Sequence, residues 1–128
     1  MAPISTSLTE CQGSSCDFLY TEGVLTGRLS LPQLVNLLST SPAKIWGLYP
    51  RKGSLLPGSD ADLVIFDPDT QWTVDPAHLH MGADWSPYAG RALRGKILSV
   101  IARGDLIINQ GTFQGERGRG RFIPRALD

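Results

Sequence analysis

Four consecutive apolar residues, Leu63-Val64-Ile65-Phe66, stand between Asp62 and the pair Asp67-Pro68. A run this short, closed by turn formers at both ends, reads as a buried strand rather than as a turn of helix. Gln71 to Val74 is its expected neighbour. On either side of this run the patterning differs. Before Tyr49 the apolar residues recur at helical spacing; after it Pro50, Gly53, Pro57 and Gly58 cut the chain into short pieces that favour β-branched residues. Fourteen glycines and nine prolines in 128 residues indicate many turns. The length allows one modest domain with a single core and excludes a large enzyme barrel.

The helical part has legible start signals. Asp17 to Val24 is a short helix that turns Phe18, Leu19 and Val24 inward before Gly23 and Gly27 interrupt it. Ser30 caps the next helix, Pro32 suits its first turn, and Gln33 stands where a capping box puts its reciprocal acceptor. Leu31, Leu34, Val35 and Leu38 form its apolar stripe, which stays exposed around Leu34 and Leu38 without a further layer to cover it. Ser41 and Pro42 start a third helix carrying Ala43, Ile45 and Trp46, and Gly47 ends it.

Downstream, Lys96 to Ala102 and Leu106 to Ile108 are strands, with Arg103, Gly104 and Asp105 as a tight hairpin turn between them. After Phe113 the chain becomes a Gly/Arg tail. The expected fold class is therefore α+β, a helical arm followed by short antiparallel strands and an extended tail. The divisions are residues 1–16 as an ill-defined lead, 17–48 as the arm, 49–110 as a small β domain and 111–128 as the tail. The lead is rich in small polar residues without period and cannot bury enough apolar surface to offset its ordering entropy.

Twelve basic and twelve acidic residues give zero formal net charge, so the whole chain attracts neither nucleic acid nor an anionic membrane. The first sixteen residues hold no basic start and no continuous apolar stretch; neither a secretory signal nor a membrane span is expected, and a cytoplasmic chain is the default. In that compartment Cys11 and Cys16 are expected as reduced thiols, although one small disulfide loop or two thiolate ligands are open to them.

Several groups invite a chemical reading. In His78-Leu79-His80, a His-x-His pair on a strand would turn both imidazoles to one face, as binuclear metal hydrolases require. A catalytic zinc takes at least three protein ligands, and the chain has no third histidine. Asp75 and Asp84 are the nearest carboxylates, and the Pro76 and Gly82 flanks suggest a loop, so surface histidines are expected. Asp60-Ala61-Asp62 offers two carboxylates on one face of an extended segment. After Gly58 and Ser59 they are expected instead to accept backbone N–H groups in the turn that launches the strand.

Glu116-Arg117-Gly118-Arg119-Gly120-Arg121, with Phe122 and Arg125, is similar to segments that bind single-stranded nucleic acid. With no basic surface behind it, a tail lying along backbone and bridging subunits by salt bridges is expected. Lys44, Arg51 and Lys52 sit near a helix end and are expected as solvated charges. Trp72, Trp85 and Tyr88 are core or interface aromatics. No nucleophile elbow, phosphate loop or Cys/His pair can be assembled.

The stretch SPAKIWGLYPRKGSLLPGSDADLVIFDP, Ser41 to Pro68, resembles the signature that leads cyclic amidohydrolases out of their barrel into a small β-sandwich. ADWSPYAGRALRGKI, Ala83 to Ile97, and GTFQGERGRGRFIPR, Gly111 to Arg125, are similar to dihydropyrimidinase and hydantoinase tails. Dihydroorotases and allantoinases share the first signature and a related Pro-aromatic-x-Gly turn, and remain an alternative parent. The resemblance covers Asp17 to Arg125; residues 1–16 depart from it, where the family has a loop that contacts substrate through its backbone.

This resemblance implies a C-terminal portion: a helical arm that is the end of a TIM-type barrel, followed by strands of a composite sandwich. It also implies hydrolysis of C–N bonds in cyclic amides by two divalent metals, usually zinc, held by residues upstream of this chain. No catalytic, cofactor-binding or metal residue carries over, and the chain alone is expected to be inactive. His78 and His80 follow the GSDADLVIFDP strand, whereas the family's His-x-His precedes the barrel. An amidohydrolase barrel or a homo-oligomer is the implied partner; a non-catalytic module that pairs with such a barrel is the other reading.

Overall fold

The computed structural model describes Ala2–Ile4, residues 15–79 and residues 84–126. Three short helices, α1 (Ser15–Leu19), α2 (Leu31–Val35) and α3 (Ser41–Ile45), form an arm. A five-stranded sheet carries β1 (Ala2–Ile4), β2 (Leu63–Thr73), β3 (Ala92–Ala102), β4 (Asp105–Asn109) and β5 (Thr112–Phe113) in the order β1-β2-β3-β4-β5. Every neighbouring pair is antiparallel. This is the α+β arrangement expected, with every strand but β1 following the helices.

The capping box at α2 is present. Ser30 Oγ accepts the Gln33 N–H, and Gln33 Oε1 accepts the Ser30 N–H at 2.8 Å. Between the α-helical turns the backbone widens: Leu25 N–H reaches Tyr20 O at 3.0 Å and Ser41 N–H reaches Asn36 O, both five residues back. Such widening keeps the backbone hydrogen-bonded through both joints. The stripe on α2 differs from expectation. Leu34 is fully buried, Leu38 is half-buried and Leu37 is exposed, because α2 packs against the Tyr20–Val24 turn of its own chain.

The strand at Leu63–Phe66 exists, but it buries one face: Val64 and Phe66 are buried, Leu63 and Ile65 only half so. Gln71 to Val74 is not its partner. Gln71 to Thr73 continue β2, and the true partner is β3, with Val64 opposite Val100 and Trp72 opposite Leu93. The reason lies at Asp67, whose carboxylate accepts the Asp69 N–H at 2.9 Å and the Thr70 hydroxyl at 2.6 Å. Asp-Pro-Asp-Thr therefore bulges out and rejoins the same strand: Asp67 faces Lys96 and Gln71 faces Arg94, so two more residues are spent on β2 than on β3.

The hairpin between β3 and β4 forms as expected, with the two central residues, Arg103 and Gly104, at φ 51° and 85°. Two successive positive φ values match the right-handed strand twist. Gln110 and Gly111 repeat the device at φ 50° and 78° to fold β5 back on β4, a hairpin not foreseen.

Parts of the lead are ordered where none was expected. Ala2–Ile4 pairs with Phe66, Ile65 and Val64, and Cys16 lies fully buried in α1. A strand of this length has no signal of its own; the open edge of β2 supplies its backbone partners. Cys11 lies outside the described residues.

The arm meets the sheet where α1 and the Tyr20–Val24 turn pack on β3. Tyr20 meets Phe66 edge to face at 4.9 Å between centroids, and Phe18 meets Tyr88 at 4.7 Å. The Thr21 hydroxyl accepts the Arg94 N–H at 3.0 Å and lies 2.9 Å from the Arg94 carbonyl oxygen. Next to it Gly95 adopts φ +94°, and a Cβ there would fall on the Phe66 ring and within 2.7 Å of Tyr20 Cδ1. Only glycine lets the two rings close over β3.

Candidate functional site

The most heavily charged cluster gathers at the entry to β2. The loop that follows Arg51 and Lys52 returns at Asp60, whose N–H donates to Arg51 O at 2.9 Å. Lys52 Nζ then sits 2.9 Å from Asp60 Oδ2 and also pairs with Asp62 Oδ2, while Arg51 Nε lies 3.2 Å from Asp60 Oδ2. The other oxygen of Asp62 accepts the Arg103 N–H at 2.8 Å, and Gly104 N–H donates to Ala61 O at 3.0 Å. Asp62 is buried, so one carboxylate ties a loop lysine to the β3–β4 turn.

Lys52 is thus not the solvated charge expected, Arg51 is exposed as expected although ion-paired, and the two aspartates serve cations and a distant turn rather than the amides of their own turn. The ammonium of Lys52, by hydrogen bond and by charge, outweighs burial and holds the Asp60 carboxyl below its usual 3.8, with Arg51 adding to the effect. Asp67 is likewise lowered, by the Thr70 hydroxyl and then the Asp69 amide.

Of the histidine motif, His78 and Leu79 are among the described residues. His78 ends a short helical turn, Pro76–His78, with Asp75 capping it through Ala77 N–H at 3.0 Å. His78 Nδ1 lies 2.9 Å from Asp75 Oδ2, and both side chains are exposed. His80 lies outside the described residues. Among the described residues no three His, Cys, Asp or Glu side chains come together.

The tail lies along backbone, as expected, within its own chain. Arg119 Nη2 donates to Ala102 O at 2.7 Å and to Asp105 Oδ2 at 2.8 Å, and the Arg103 guanidinium donates back to the Arg119 carbonyl. Farther on, Ala126 N–H donates to Gly47 O at 2.9 Å, which brings the tail against the end of α3. A cavity of about 460 Å³ opens there, lined by Lys44, Ile45, Trp46, Gly47, Tyr49, Arg125 and Ala126. Lys44 Nζ rests 5.0 Å from the Tyr49 ring centroid.

The aromatic residues divide. Trp72 is tied into the sheet, its Nε1–H donating to Gly95 O at 3.0 Å, whereas Trp85 is exposed. Trp46, the aromatic of the α3 cavity, was foreseen only as part of a helix; Lys44 and Tyr49 at its sides were the available signal. Among the described residues no helix is long and apolar enough to cross a membrane.

The profile described as Amidohydrolase family matches residues 14–107. A D-phenylhydantoinase of Escherichia coli O1:K1 / APEC is 48% identical over 107 residues, 84% of this chain and 23% of the relative. The crystal structure of dihydropyrimidinase from Brevibacillus agri NCHU1002 superposes with a TM-score of 0.84 at 40% identity, covering 87% of this chain and 24% of that one. An L-hydantoinase (dihydropyrimidinase) from Arthrobacter aurescens gives 0.81 at 38% identity, covering 85% and 24%. The chain spans about a quarter of the length of the curated relatives it matches.

Proposed function

Because the chain belongs to the amidohydrolase family, we propose that it works as the C-terminal portion of a hydrolase that opens cyclic amide rings of the hydantoin and dihydropyrimidine kind. The observation that carries this reading is the likeness to hydantoinases, which extends over the helical arm and the sheet alike. In this reading the arm is the end of a TIM-type barrel and the strands are part of a composite sandwich. The ring-opening machinery then belongs to polypeptide other than the residues described.

The family's two divalent metals supply the activated hydroxide when bound. The donors among the described residues do not suit such a pair. Asp60 and Asp62 are engaged by Lys52, Arg51 and the Arg103 amide, and Asp75 with His78 is a single exposed couple. A hydrolytic zinc site needs at least three protein ligands. No step of ring opening is therefore assigned to these residues; their part is to carry the sheet and present the arm.

The test is reconstitution. Purified chain supplied with zinc is expected to leave hydantoin and dihydrouracil intact. Co-expression with the remaining three-quarters of a D-phenylhydantoinase is expected to give a complex that opens one of these rings. Turnover by the chain alone above a metal blank would overturn the division of labour, and a reconstituted complex inert toward both rings would remove the substrate class.

A further inference from the structure

One edge of β2 is closed by residues that the amidohydrolase family does not share. Ala2, Pro3 and Ile4 of β1 stand opposite Phe66, Ile65 and Val64, whereas the stretch matching the family begins at residue 14. β2 itself lies within that stretch, and so does β3, its neighbour on the other side. A strand edge is a row of backbone N–H and C=O groups open to pairing. The family-shared sheet therefore has an edge at β2, and here the lead supplies its cover.

That cover is slight. β1 spans three residues against the eleven of β2, fewer than the about five or six of an ordinary strand. Its middle residue is proline, which has no N–H to donate, so one backbone donor of three is absent. On the other side, by contrast, β3 pairs with β2 from Leu63 to Thr73. A longer strand without a central proline forms more ladder bonds at the same edge than β1 does. The chain spans 23% of the D-phenylhydantoinase it resembles, so most of such a polypeptide lies outside it and can furnish that strand. A second copy is a poorer occupant, because its β2 carries the same cap and two β1 strands must leave to form one interface.

We propose that β1 is a displaceable cap: in the lone chain Ala2–Ile4 closes the edge of β2, and on assembly a strand of the remaining hydantoinase-type polypeptide takes its place. This inference rests on the reading of the chain as one portion of a ring-opening hydrolase, and adds how the portion is kept closed before assembly.

The test traps β1 on β2. Pro3 and Ile65 are direct partners, and antiparallel partners stand about 4.5–5.5 Å apart at Cα, within disulfide reach. Pro3→Cys combined with Ile65→Cys, in a Cys11→Ser background, is expected to close a disulfide between positions 3 and 65 when the lone chain meets oxidised glutathione, as read by mass spectrometry. The same variant, co-expressed and purified with the remaining three-quarters of a D-phenylhydantoinase, is expected to close it about ten-fold more slowly, because an unpaired tether lowers the effective concentration of the two thiols. Adding Ile4→Pro to the lone chain removes a second donor and is expected to slow closure too, which separates strand pairing from chance encounter. Ile65 is half-buried, and circular dichroism of the reduced variant should match the parent. Nitrogen-15 spectra of the unsubstituted chain give an independent reading: the Ala2 and Ile4 amides are expected to move to random-coil positions in the complex. Equal closure in lone chain and complex, no closure in the lone chain, or closure indifferent to Ile4→Pro would overturn the cap and leave the ring-opening reading intact. A complex that keeps the bond open yet is inert toward both rings removes the substrate class and leaves the cap standing. Failure to form any complex, with closure normal in the lone chain, removes the reading and the displacement with it.

Discussion

Asp62 does more than any other single side chain to join distant parts of the chain. One oxygen holds Lys52 from the preceding loop and the other accepts the Arg103 amide of the β3–β4 turn. Removing it leaves the mostly buried Lys52 ammonium with Asp60 alone and the Arg103 amide without its acceptor, so Asp62→Ala is expected to cost about 3 kcal/mol in chemical denaturation. Asp62→Asn keeps an acceptor for Arg103 and loses only the charge, and is expected to cost less; equal losses would show that the turn contact is unimportant. Asp60 gives the cluster a pH dependence. Its folded pKa lies below the usual 3.8, so its stabilisation is complete above the unfolded value and is lost as pH falls through the folded one. Asp67, lowered by Thr70 and the Asp69 amide, acts in the same direction. Thermal midpoints are expected to be level near neutrality and to fall below about pH 4. In Asp60→Asn the acid limb is expected to be shallower; a limb as steep as the parent's would assign the acid loss to other carboxylates.

At the scale of elements, the fit of the arm on the sheet rests on Gly95. Gly95→Ala places a methyl on the Phe66 ring at a backbone conformation that L residues rarely adopt, and is expected to cost about 2 kcal/mol or more. Phe66→Leu in the same chain vacates part of that space, so the double variant is expected to lose less than the sum of the two. Strict additivity would mean that the methyl is accommodated elsewhere. The tail depends on Arg119 in a comparable way: Arg119→Ala removes its bonds to Ala102 and Asp105, and faster amide exchange is expected over residues 114–126 with β2 and β3 unchanged. What was legible in sequence follows the range of each interaction. Ser30 and Gln33 could be read because cap and acceptor lie within one turn, and Arg103-Gly104 because two residues define the hairpin. The charge cluster was missed because Asp60 and Asp62 reach Lys52 only after residues 53–59 fold back. The length of β2 was missed because the Asp67 side chain turned an apparent stop, Asp67-Pro68, into a bulge.

Over the whole molecule the distribution of burial is uneven. The sheet has Val64, Phe66, Leu93, Val100 and Ala102 buried across β2 and β3, whereas the arm has Cys16, Leu34 and Ala43 inside and Leu37, Ile45 and Trp46 outside. Stability tracks buried apolar area, so the two parts do not share one opening free energy. Native-state hydrogen exchange is expected to show the amides of β2 and β3 opening only with global unfolding. Those of α2 and α3 are expected to exchange earlier, through local opening that Thr21 and the Tyr20–Phe66 contact do not prevent, since both lie on the α1 side of the arm. If α2 and α3 instead exchange with the same free energy as β2, the arm and sheet are one cooperative unit, and the exposed α3 face is not held at the expense of the arm's own stability.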